Sequence, residues 1–451
     1  MTSEFSIHTR KKAIDSMDGN MYDVVVIGGG ITGSGIANIL AENGVNTLLL
    51  EKNDFASGTS SGSSKLVHGG LRYLQNGRLL EVFRLLKERN YLMNHTDIVT
   101  SLEFHIFTGK DMWNSSELGL GLSLYNVLSG KLAPARHIRN DGRYPETIDG
   151  YYSYFDGITI DSVLVIYNIV SAQNHGATCL NYVEAVSIKM DGENYAVSIH
   201  DNISGSNKTI ISRIIINAAG PWGDRISHMA GIDPEESFRL SKGIHLVFPF
   251  SLWGRKNAAV IRSSIDGRQL FIIPSGEIVY IGTTDKFTEN PDDFSISNED
   301  TKYLLDSLKP LFPEFEEDKI ITSFAGIRVL FGSGDNPGEI SRDFKITRKG
   351  NFIFALGGKL TDYRVGSRKV AKIVSSLLGR KLKIKNMPFI DYSRSAGNLD
   401  QIIKYECPVK PEDIMRRRLA LRIYSGDSGK FMEQKACKLM EDEYENTYPG
   451  K

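Results

Sequence analysis

Three glycines with the spacing Gly28-x-Gly30-x-x-Gly33 separate an apolar segment, residues 22–27, from a helical pattern over residues 31–43. A second apolar segment follows at residues 47–51. Strand, glycine turn, helix and strand in this order form a β-α-β unit, whose two strands must run parallel. The sequence therefore predicts an α/β fold that begins with a parallel sheet.

The glycine motif lies where the backbone N–H groups of a helix start can meet a pyrophosphate. An acidic residue about 20 positions further on is expected to hold ribose hydroxyls, and Glu51 stands at the end of the second strand. These features predict an adenine dinucleotide site. The spacing alone does not separate FAD from NAD, because both carry the same ADP half.

Two further segments favour FAD. Residues 53–72 are rich in Ser, Gly and Thr, and so offer small donors for a second phosphate and a ribityl chain. Residues 214–220 form a late apolar strand that ends in Ala-Ala-Gly. A domain for NAD normally completes itself in one contiguous block, whereas these pieces are spread to residue 380.

Hydrophobic periodicity predicts the remaining elements. Helices are expected at residues 78–95, after residues 297–300 and at 367–378. Strands are expected at residues 185–190, 195–200, 209–217, 351–356 and in a hairpin of 269–273 with 278–281. The prediction is a mixed α/β chain with a discontinuous Rossmann-like FAD-binding domain, an antiparallel-sheet substrate domain and a small helical C-terminal appendage.

The predicted domain boundaries follow this pattern. The FAD-binding domain comprises residues 21–75, 155–235 and 335–381, and the substrate-binding domain comprises 76–154 and 236–334. A lead-in of residues 1–20, without the apolar core of a signal peptide, is expected to be loosely docked. The charge-rich residues 382–451 are expected to form the helical appendage.

Charge and cysteine content limit the partners. Lys plus Arg and Asp plus Glu are both 54, so no net field favours nucleic acid. The three cysteines, Cys179, Cys407 and Cys437, are far apart, and no metal site or disulfide is predicted from them. No segment is long and apolar enough for a membrane span. Residues 118–130 are uncharged and precede Lys131, Arg136 and Arg139, and they are either an amphipathic membrane contact or a buried helix.

Several motifs occur in one order between about residues 20 and 380: IGGGITGSGIA (27–37), EKNDFASGTSSGSSKLVHGGLRYL (51–74), NAAGPW (217–222), SKGIHLVFP (241–249), IGTTD (281–285), AGIRVL (325–330), SRDF (341–344) and GGKLTDYR (357–364). With these motifs the chain resembles the FAD-dependent glycerol-3-phosphate dehydrogenases, within the D-amino-acid-oxidase-like flavoproteins. The second and last motifs are close to family-specific. Ile39, Asn43 and Asp362 depart from the family pattern, as does Ser367.

The resemblance implies an enzyme that oxidises sn-glycerol 3-phosphate to dihydroxyacetone phosphate by hydride transfer to N5 of FAD. It also implies electron transfer to a quinone, and hence docking on the membrane face. The few scattered cysteines favour a reducing cytoplasm, so a cytoplasmic protein at the cytoplasmic membrane face is expected. A homodimer stays open as an assembly. Together with the glycine motif, it implies cofactor contacts at Gly28, Gly30, Ile31, Thr32, Gly33, Glu51, Lys52, Thr59, Ser60, Ser61, Ser64, Lys65, His68, Gly69, Gly70, Ala219, Gly220, Trp222, Gly358, Lys359, Leu360 and Thr361.

Alcohol oxidation needs a base for the hydroxyl proton and cations for the phosphate. His245 is the candidate base, because imidazole titrates near neutrality and similar enzymes place this residue beside the substrate hydroxyl. Arg328, in an apolar strand, is expected to bind the substrate anion, with an internal salt bridge as the alternative. Lys359 is expected to stabilise the negative charge of reduced flavin. Further substrate contacts are expected at Arg72, Arg342 and Thr361, with a local Arg342–Asp343 ion pair as the alternative.

Other functions stay open at this stage. A glycerol-3-phosphate oxidase would use O₂ instead of quinone, and an oxidase of amino or hydroxy acids would share the glycine motif. A non-enzymatic FAD-binding module would not be reduced by a phosphate ester. A scaffold associated with tRNA or membrane would show a basic stripe, and Arg416-Arg417-Arg418 is the one basic run.

Overall fold

The computed structural model describes residues 3–75, 77–109, 112–130, 133–234, 236–384, 398–427 and 429–448. Lys131 and residues 385–397 of the predicted appendage lie outside them. The strands of these residues are, in chain order, β1 (Met21–Ile27), β2 (Thr47–Leu50), β3 (Leu66–Val67), β4 (Val99–Thr108), β5 (His137–Arg139), β6 (Gly150–Thr159), β7 (Thr178–Leu180), β8 (Val183–Asp191), β9 (Asn194–Asp201), β10 (Asn207–Asn217), β11 (Phe238–Pro249), β12 (Ala258–Arg262), β13 (Gln269–Ser275), β14 (Ile278–Gly282), β15 (Lys286–Thr288), β16 (Thr322–Phe331), β17 (Lys345–Lys349) and β18 (Phe352–Leu356).

Helices cover the two sheets that these strands form. They are α1 (Ile7–Ser16), α2 (Ile31–Glu42), α3 (Arg72–Gln75), α4 (Leu79–His95), α5 (Ser115–Leu128), α6 (Asp161–Asn174), α7 (Gly223–Ala230), α8 (Asn298–Leu308), α9 (Tyr363–Leu377), α10 (Leu399–Tyr405), α11 (Pro411–Asp413), α12 (Leu421–Tyr424) and α13 (Lys430–Thr447). Chain order and sheet membership confirm the predicted mixed α/β class with a helical C-terminal stretch.

The first sheet has the strand order β17-β18-β10-β1-β2-β7, with the hairpin β8–β9 paired to β10. Strands β18, β10, β1, β2 and β7 run parallel to one another, whereas β17 is antiparallel to β18. Val24 and Val26 face a core shared with α2, α6 and α9, whereas Val25 and Ile27 face a core with β8 and β9. A strand buried on both faces reads as a continuous apolar run, which is why this segment was recognisable in the sequence.

The second sheet has the order β15-β11-β14-β13-β12-β4-β6-β3, with β16 paired to β11 and β5 to β6. Its strand pairs are antiparallel except for β12 with β4. Strands β3 and β6 belong to this sheet, although residues 66–67 and 155–159 were assigned to the FAD-binding domain. The chain thus passes into the second sheet before the boundary predicted at residue 75.

Two local predictions need correction. The lead-in is not loosely docked: Phe5 and Ile7 are buried, and Ser6 caps α1 in a reciprocal bond pair with Thr9. Buried Arg10 of α1 pairs with Asp201 at 2.5 Å. The helix predicted at 367–378 begins four residues earlier, at Tyr363.

In the described ranges, no helix is long and apolar enough to cross a membrane.

Candidate active site

A cavity of about 1400 Å³ runs between the two sheets. Its polar end is lined by the glycine turn after β1, the loop after β2 and the turn after β10. Its other end reaches the second sheet and helix α5. The predicted cofactor residues that line it are Gly28, Gly30, Ile31, Thr32, Glu51, Lys52, Thr59, Ser60, Ser64, His68, Gly70, Ala219, Gly220, Trp222, Gly358, Lys359 and Leu360.

The glycine turn has no room for side chains. Gly28 has a φ of +114°, and a Cβ there would lie 2.4 Å from the carbonyl oxygen of Ala218. A Cβ on Gly33 would lie 1.9 Å from the carbonyl oxygen of Gly28. The start of α2 therefore packs closely against the strand ends, and Gly30, Ile31 and Thr32 line the cavity where a pyrophosphate fits a helix N-terminus.

Glu51 and Ser60 hold the two sides of this turn. Glu51 Oε2 accepts from the N–H of Gly29 at 2.8 Å, and its Oε1 accepts from the N–H of Asn53 at 2.9 Å. Each carboxylate oxygen has a second lone pair for a ribose hydroxyl. Ser60 Oγ accepts from the N–H of Ile31 at 3.0 Å. Glycines, acidic residue and hydroxyl loop thus fit the ADP half of FAD.

Five predicted cofactor residues do not line the cavity and instead support its wall. Thr361 is fully buried and donates to the carbonyl of His68 at 3.0 Å. Buried Lys65 pairs with Asp161 at 2.8 Å. The N–H of Gly69 donates to Asp156 at 2.9 Å. Gly33 and Ser61, the latter bonded to the carbonyl of Gly58, lie within the motif backbone.

Two arginines of the cavity wall share one carboxylate. Arg328 on β16 donates to Asp285 Oδ1 at 3.0 Å, and Arg342 donates to Asp285 Oδ2 at 2.5 Å. Burial would raise the pKa of Asp285, but the two guanidinium charges hold it below the ordinary value. Burial beside Arg342 lowers the pKa of Arg328 to about 10, so it stays cationic at neutral pH. Arg342 thus pairs with Asp285 and not with Asp343.

The position of Arg328 depends on a glycine of the neighbouring strand. A Cβ on Gly243 would lie 2.1 Å from Nη2 of Arg328. Thr283 Oγ1 accepts from the same nitrogen at 2.7 Å. The guanidinium therefore crosses β11 through a gap that only glycine leaves open.

Arg72 and Arg268 add positive charge to the wall. Arg72 is exposed and donates to the carbonyl of Gly338 at 3.0 Å. Arg268 lies 3.9 Å from Asp266 and was not singled out from the sequence. Arg328, Arg342 and Arg268 thus face the two carboxylates of Asp285 and Asp266, and the excess of positive charge in the cavity matches a phosphate dianion.

Lys359 follows the turn at Gly357 and Gly358 and lines the cavity. Its Nζ lies 2.6 Å from Glu81 and 3.3 Å from Asp343, and 4.4 Å above the ring of Tyr73. Burial would lower its pKa, but the neighbouring Tyr73, Glu81 and Asp362 raise it. Lys359 is therefore charged, as its predicted role requires, and Glu81 is a partner that the sequence did not reveal.

The structure does not bring His245 to the cavity. Its ring is 1% exposed and stacks on Phe324 at 4.6 Å between centroids, and its Nε2 lies 3.0 Å from Ser64 Oγ. Its Nδ1 has no hydrogen-bond partner in the part of the chain that is described. Burial, with Arg328 and Lys65 nearby, lowers its pKa well below the ordinary value. His245 therefore lies behind the cavity wall, next to the lining residue Ser64, and its role as the base stays a prediction.

His68 is the histidine that faces the cavity. It precedes Gly69 and Gly70 and lines the cavity near Lys359 and Arg342. Burial lowers its pKa, which Asp156 raises and Lys359 lowers further. The ring is therefore neutral at pH 7 and able to accept a proton.

The comparisons with known proteins agree with this geometry. Residues 23–361 match the family model described as FAD dependent oxidoreductase. The chain is 33% identical over 385 residues to the aerobic glycerol-3-phosphate dehydrogenase of Staphylococcus saprophyticus. This alignment covers 81% of this chain and 69% of that protein. It is 33% identical over 380 residues to the enzyme of the same name from Staphylococcus aureus. This second alignment covers 79% of this chain and 67% of that protein.

Solved structures show the same fold. The glycerol-3-phosphate dehydrogenase of Bacillus halodurans, complexed with FAD, superimposes with a TM-score of 0.78 at 25% identity, over 98% of this chain and 95% of that chain. The L-alpha-glycerophosphate oxidase of Mycoplasma pneumoniae, also with FAD bound, superimposes with a TM-score of 0.61 at 18% identity, over 82% of this chain and 98% of that chain. The chain belongs to the FAD-dependent glycerol-3-phosphate dehydrogenase family, within the DAO family of FAD-dependent oxidoreductases.

Proposed function

We propose that the protein oxidises sn-glycerol 3-phosphate to dihydroxyacetone phosphate. The observation that carries this proposal is the group of Arg328, Arg342 and Arg268 in the cavity wall, whose three positive charges exceed the two carboxylates of Asp285 and Asp266 that pair with them. A neutral polyol would not need this excess charge, and an amino or hydroxy acid would need one guanidinium for its carboxylate. Several cations at one end of the cavity fit a phosphate with two negative charges.

The chain's own residues suit the two tasks of the reaction. Arg328 and Arg342 would bind the phosphate and orient the secondary alcohol. Neutral His68 would take the hydroxyl proton as the carbon becomes a carbonyl carbon. Bound FAD would accept the hydride, and the Lys359 ammonium would lie where negative charge develops on the reduced ring. His245 would support this wall through Ser64.

A substrate comparison tests the phosphate site. We expect kcat/KM for sn-glycerol 3-phosphate to exceed that for glycerol by at least about 1000-fold. Glycerol has no phosphate for the arginines, and desolvated cationic groups that are left without an anion are costly. Arg342→Gln should remove most of this preference, whereas Arg239→Gln, which changes an exposed arginine on β11, should keep it. Equal rates with glycerol or a D-amino acid would contradict the proposal.

We also propose a quinone acceptor that enters from a membrane surface. The far end of the cavity is apolar, and α5 lines it with Leu118 and Leu122. Helix α5 also exposes Leu120, at the rim of the cavity, at 76% and Val127 at 52%, and the neighbouring helix α4 exposes Leu80 at 87%. Acyl chains would cover these side chains, and exposed Arg136 and Arg139 would meet lipid phosphates.

The acceptor test compares a water-soluble quinone with O₂ as oxidants of the reduced enzyme. We expect reoxidation by quinone to be faster, and Leu122→Glu, which would place a charge in the apolar end, to slow it selectively. Rapid reoxidation by O₂ alone would assign the protein as an oxidase instead.

We also propose that the chain divides into an FAD-binding domain and a substrate-binding domain.

A further inference from the structure

A buried charge cluster joins the loop after β2 to the C-terminal segment. Asp54, 1% exposed, accepts from Arg418 and Arg417, and Arg418 Nη2 lies 2.9 Å from Asp54 Oδ1. Asp413 accepts from Arg417 at 2.5 Å and from the hydroxyl of Tyr182 at 2.7 Å. Two carboxylates balance two guanidinium groups inside the protein, and such an arrangement is stable only with every partner in place.

The backbone of the C-terminal segment is shaped for this contact. Residues 414–418 form a π-helical turn, in which the N–H of Leu419 donates to the carbonyl of Ile414 at 2.8 Å. The wider turn brings the consecutive Arg417 and Arg418 onto one carboxylate. Turns of this type are rare, and they are frequent at functional sites.

The other side of Asp54 is the wall of the cavity that fits the ADP half of FAD. Lys52, Asn53, Ser57 and Thr59 flank Asp54 in sequence and line this cavity. The N–H of Ala56 donates to the carbonyl of Gly29 at 3.0 Å, so the loop also closes on the glycine turn. A shift of Asp54 would therefore move both the loop and the turn.

The charges favour the ionised form of this contact. Burial would raise the pKa of Asp54, but Arg418 and Arg417 outweigh it and lower the pKa. The segment that supplies both arginines lies beyond residue 361, where the match to the family model ends. The contact thus adds to the cofactor site from outside the matched domain.

We infer that Arg417 and Arg418 are positioning residues for FAD, and that through Asp54 they fix the loop wall that binds the ADP half. The C-terminal segment then controls how tightly the cofactor is retained. By linkage, binding at the ADP half must also stabilise the C-terminal segment.

ADP binding to the FAD-free full-length chain, measured by calorimetry, tests this inference. We expect Arg418→Lys, which keeps the charge but loses the two-pronged contact, to weaken binding of ADP and of FAD about tenfold, within the usual range of coupling between sites. Binding of riboflavin should not change. Arg422→Lys is the matched control, because Arg422 pairs with Glu433 and Glu412 in the same segment, away from Asp54.

A second variant and a second measurement keep the inference testable if the first variant does not fold. If Arg418→Lys does not fold, Arg417→Lys takes its place, since Arg417 lies at the border of the cluster with 9% of its side chain exposed. Hydrogen exchange of residues 411–424 should slow when ADP binds the wild-type chain, and slow less in the variant. Wild-type ADP affinity in a folded variant, or a loss equal to that of Arg422→Lys, would overturn the inference.

Discussion

The Nζ of Lys359 lies 2.6 Å from Glu81 Oε1, although 278 positions separate the two residues. Both side chains are less than 10% exposed. Lys359 lines the cavity, whereas Glu81 stands behind it on α4. The carboxylate therefore offsets part of the positive charge that Lys359 presents to a bound flavin.

Glu81→Gln should raise the midpoint potential of the bound flavin. Without the carboxylate, Lys359 stabilises the anionic reduced ring more strongly, and we expect a rise of about 30 mV for this two-electron couple. A spectroscopic redox titration measures it. Lys359→Met should shift the potential in the opposite direction, and shifts of the same sign in both variants would contradict the account.

Gly243→Ala should lower kcat/KM by on the order of tenfold to 100-fold, because the new Cβ would displace the guanidinium of Arg328 and misplace the substrate. Steady-state kinetics measure the loss. Gly426→Ala is the control, since its Cβ would come no closer than 3.7 Å to another side chain. If both variants kept wild-type kinetics, the gap at Gly243 would have no role in positioning Arg328.

The rate of flavin reduction should fall in acid. Because burial lowers the pKa of His68, its ring is neutral at pH 7, and the rate should decline only below the ordinary imidazole value of about 6.5. Stopped-flow reduction between pH 5 and 8 measures this limb. His68→Asn should remove the acid decline of the rate, whereas His245→Gln should leave the pH at which the rate declines unchanged. A limb that disappears in His245→Gln instead would return the role of base to that residue.

Sedimentation with vesicles of anionic phospholipid tests the membrane contact. Leu120→Glu combined with Val127→Glu should abolish binding, because two charges would enter the acyl region. Val186→Glu combined with Met190→Glu, at exposed apolar positions on β8, should bind as the wild type does. Equal binding of both double variants would place any membrane contact elsewhere.

The parts of the molecule that are local in sequence were predictable. The unit from Met21 to Leu50 is encoded by an apolar run buried on both faces and by glycines that the turn requires. The cap at Ser297 likewise marked the start of α8, where its hydroxyl accepts from the N–H of Asp300 at 3.1 Å. Short-range patterns of this kind depend on neighbouring residues alone.

The pairings across the fold were not predictable. Arg342 was weighed against its neighbour Asp343, yet its partner is Asp285, which comes near it because β15 and β16 both pair with β11 in the second sheet. Glu81 reads as a surface residue of an amphipathic helix. His245 stands in a family motif, but its exposure depends on Phe324, which lies opposite it on β16. Nothing in one sequence records these contacts.

The central claim is that a phosphate ester reduces the bound flavin, and an anaerobic absorption titration of the purified holoprotein tests it most directly. The account predicts that the visible flavin bands bleach on addition of sn-glycerol 3-phosphate and persist with glycerol or a D-amino acid. Bands that persist with sn-glycerol 3-phosphate, or bleach with a D-amino acid, would contradict the substrate assignment.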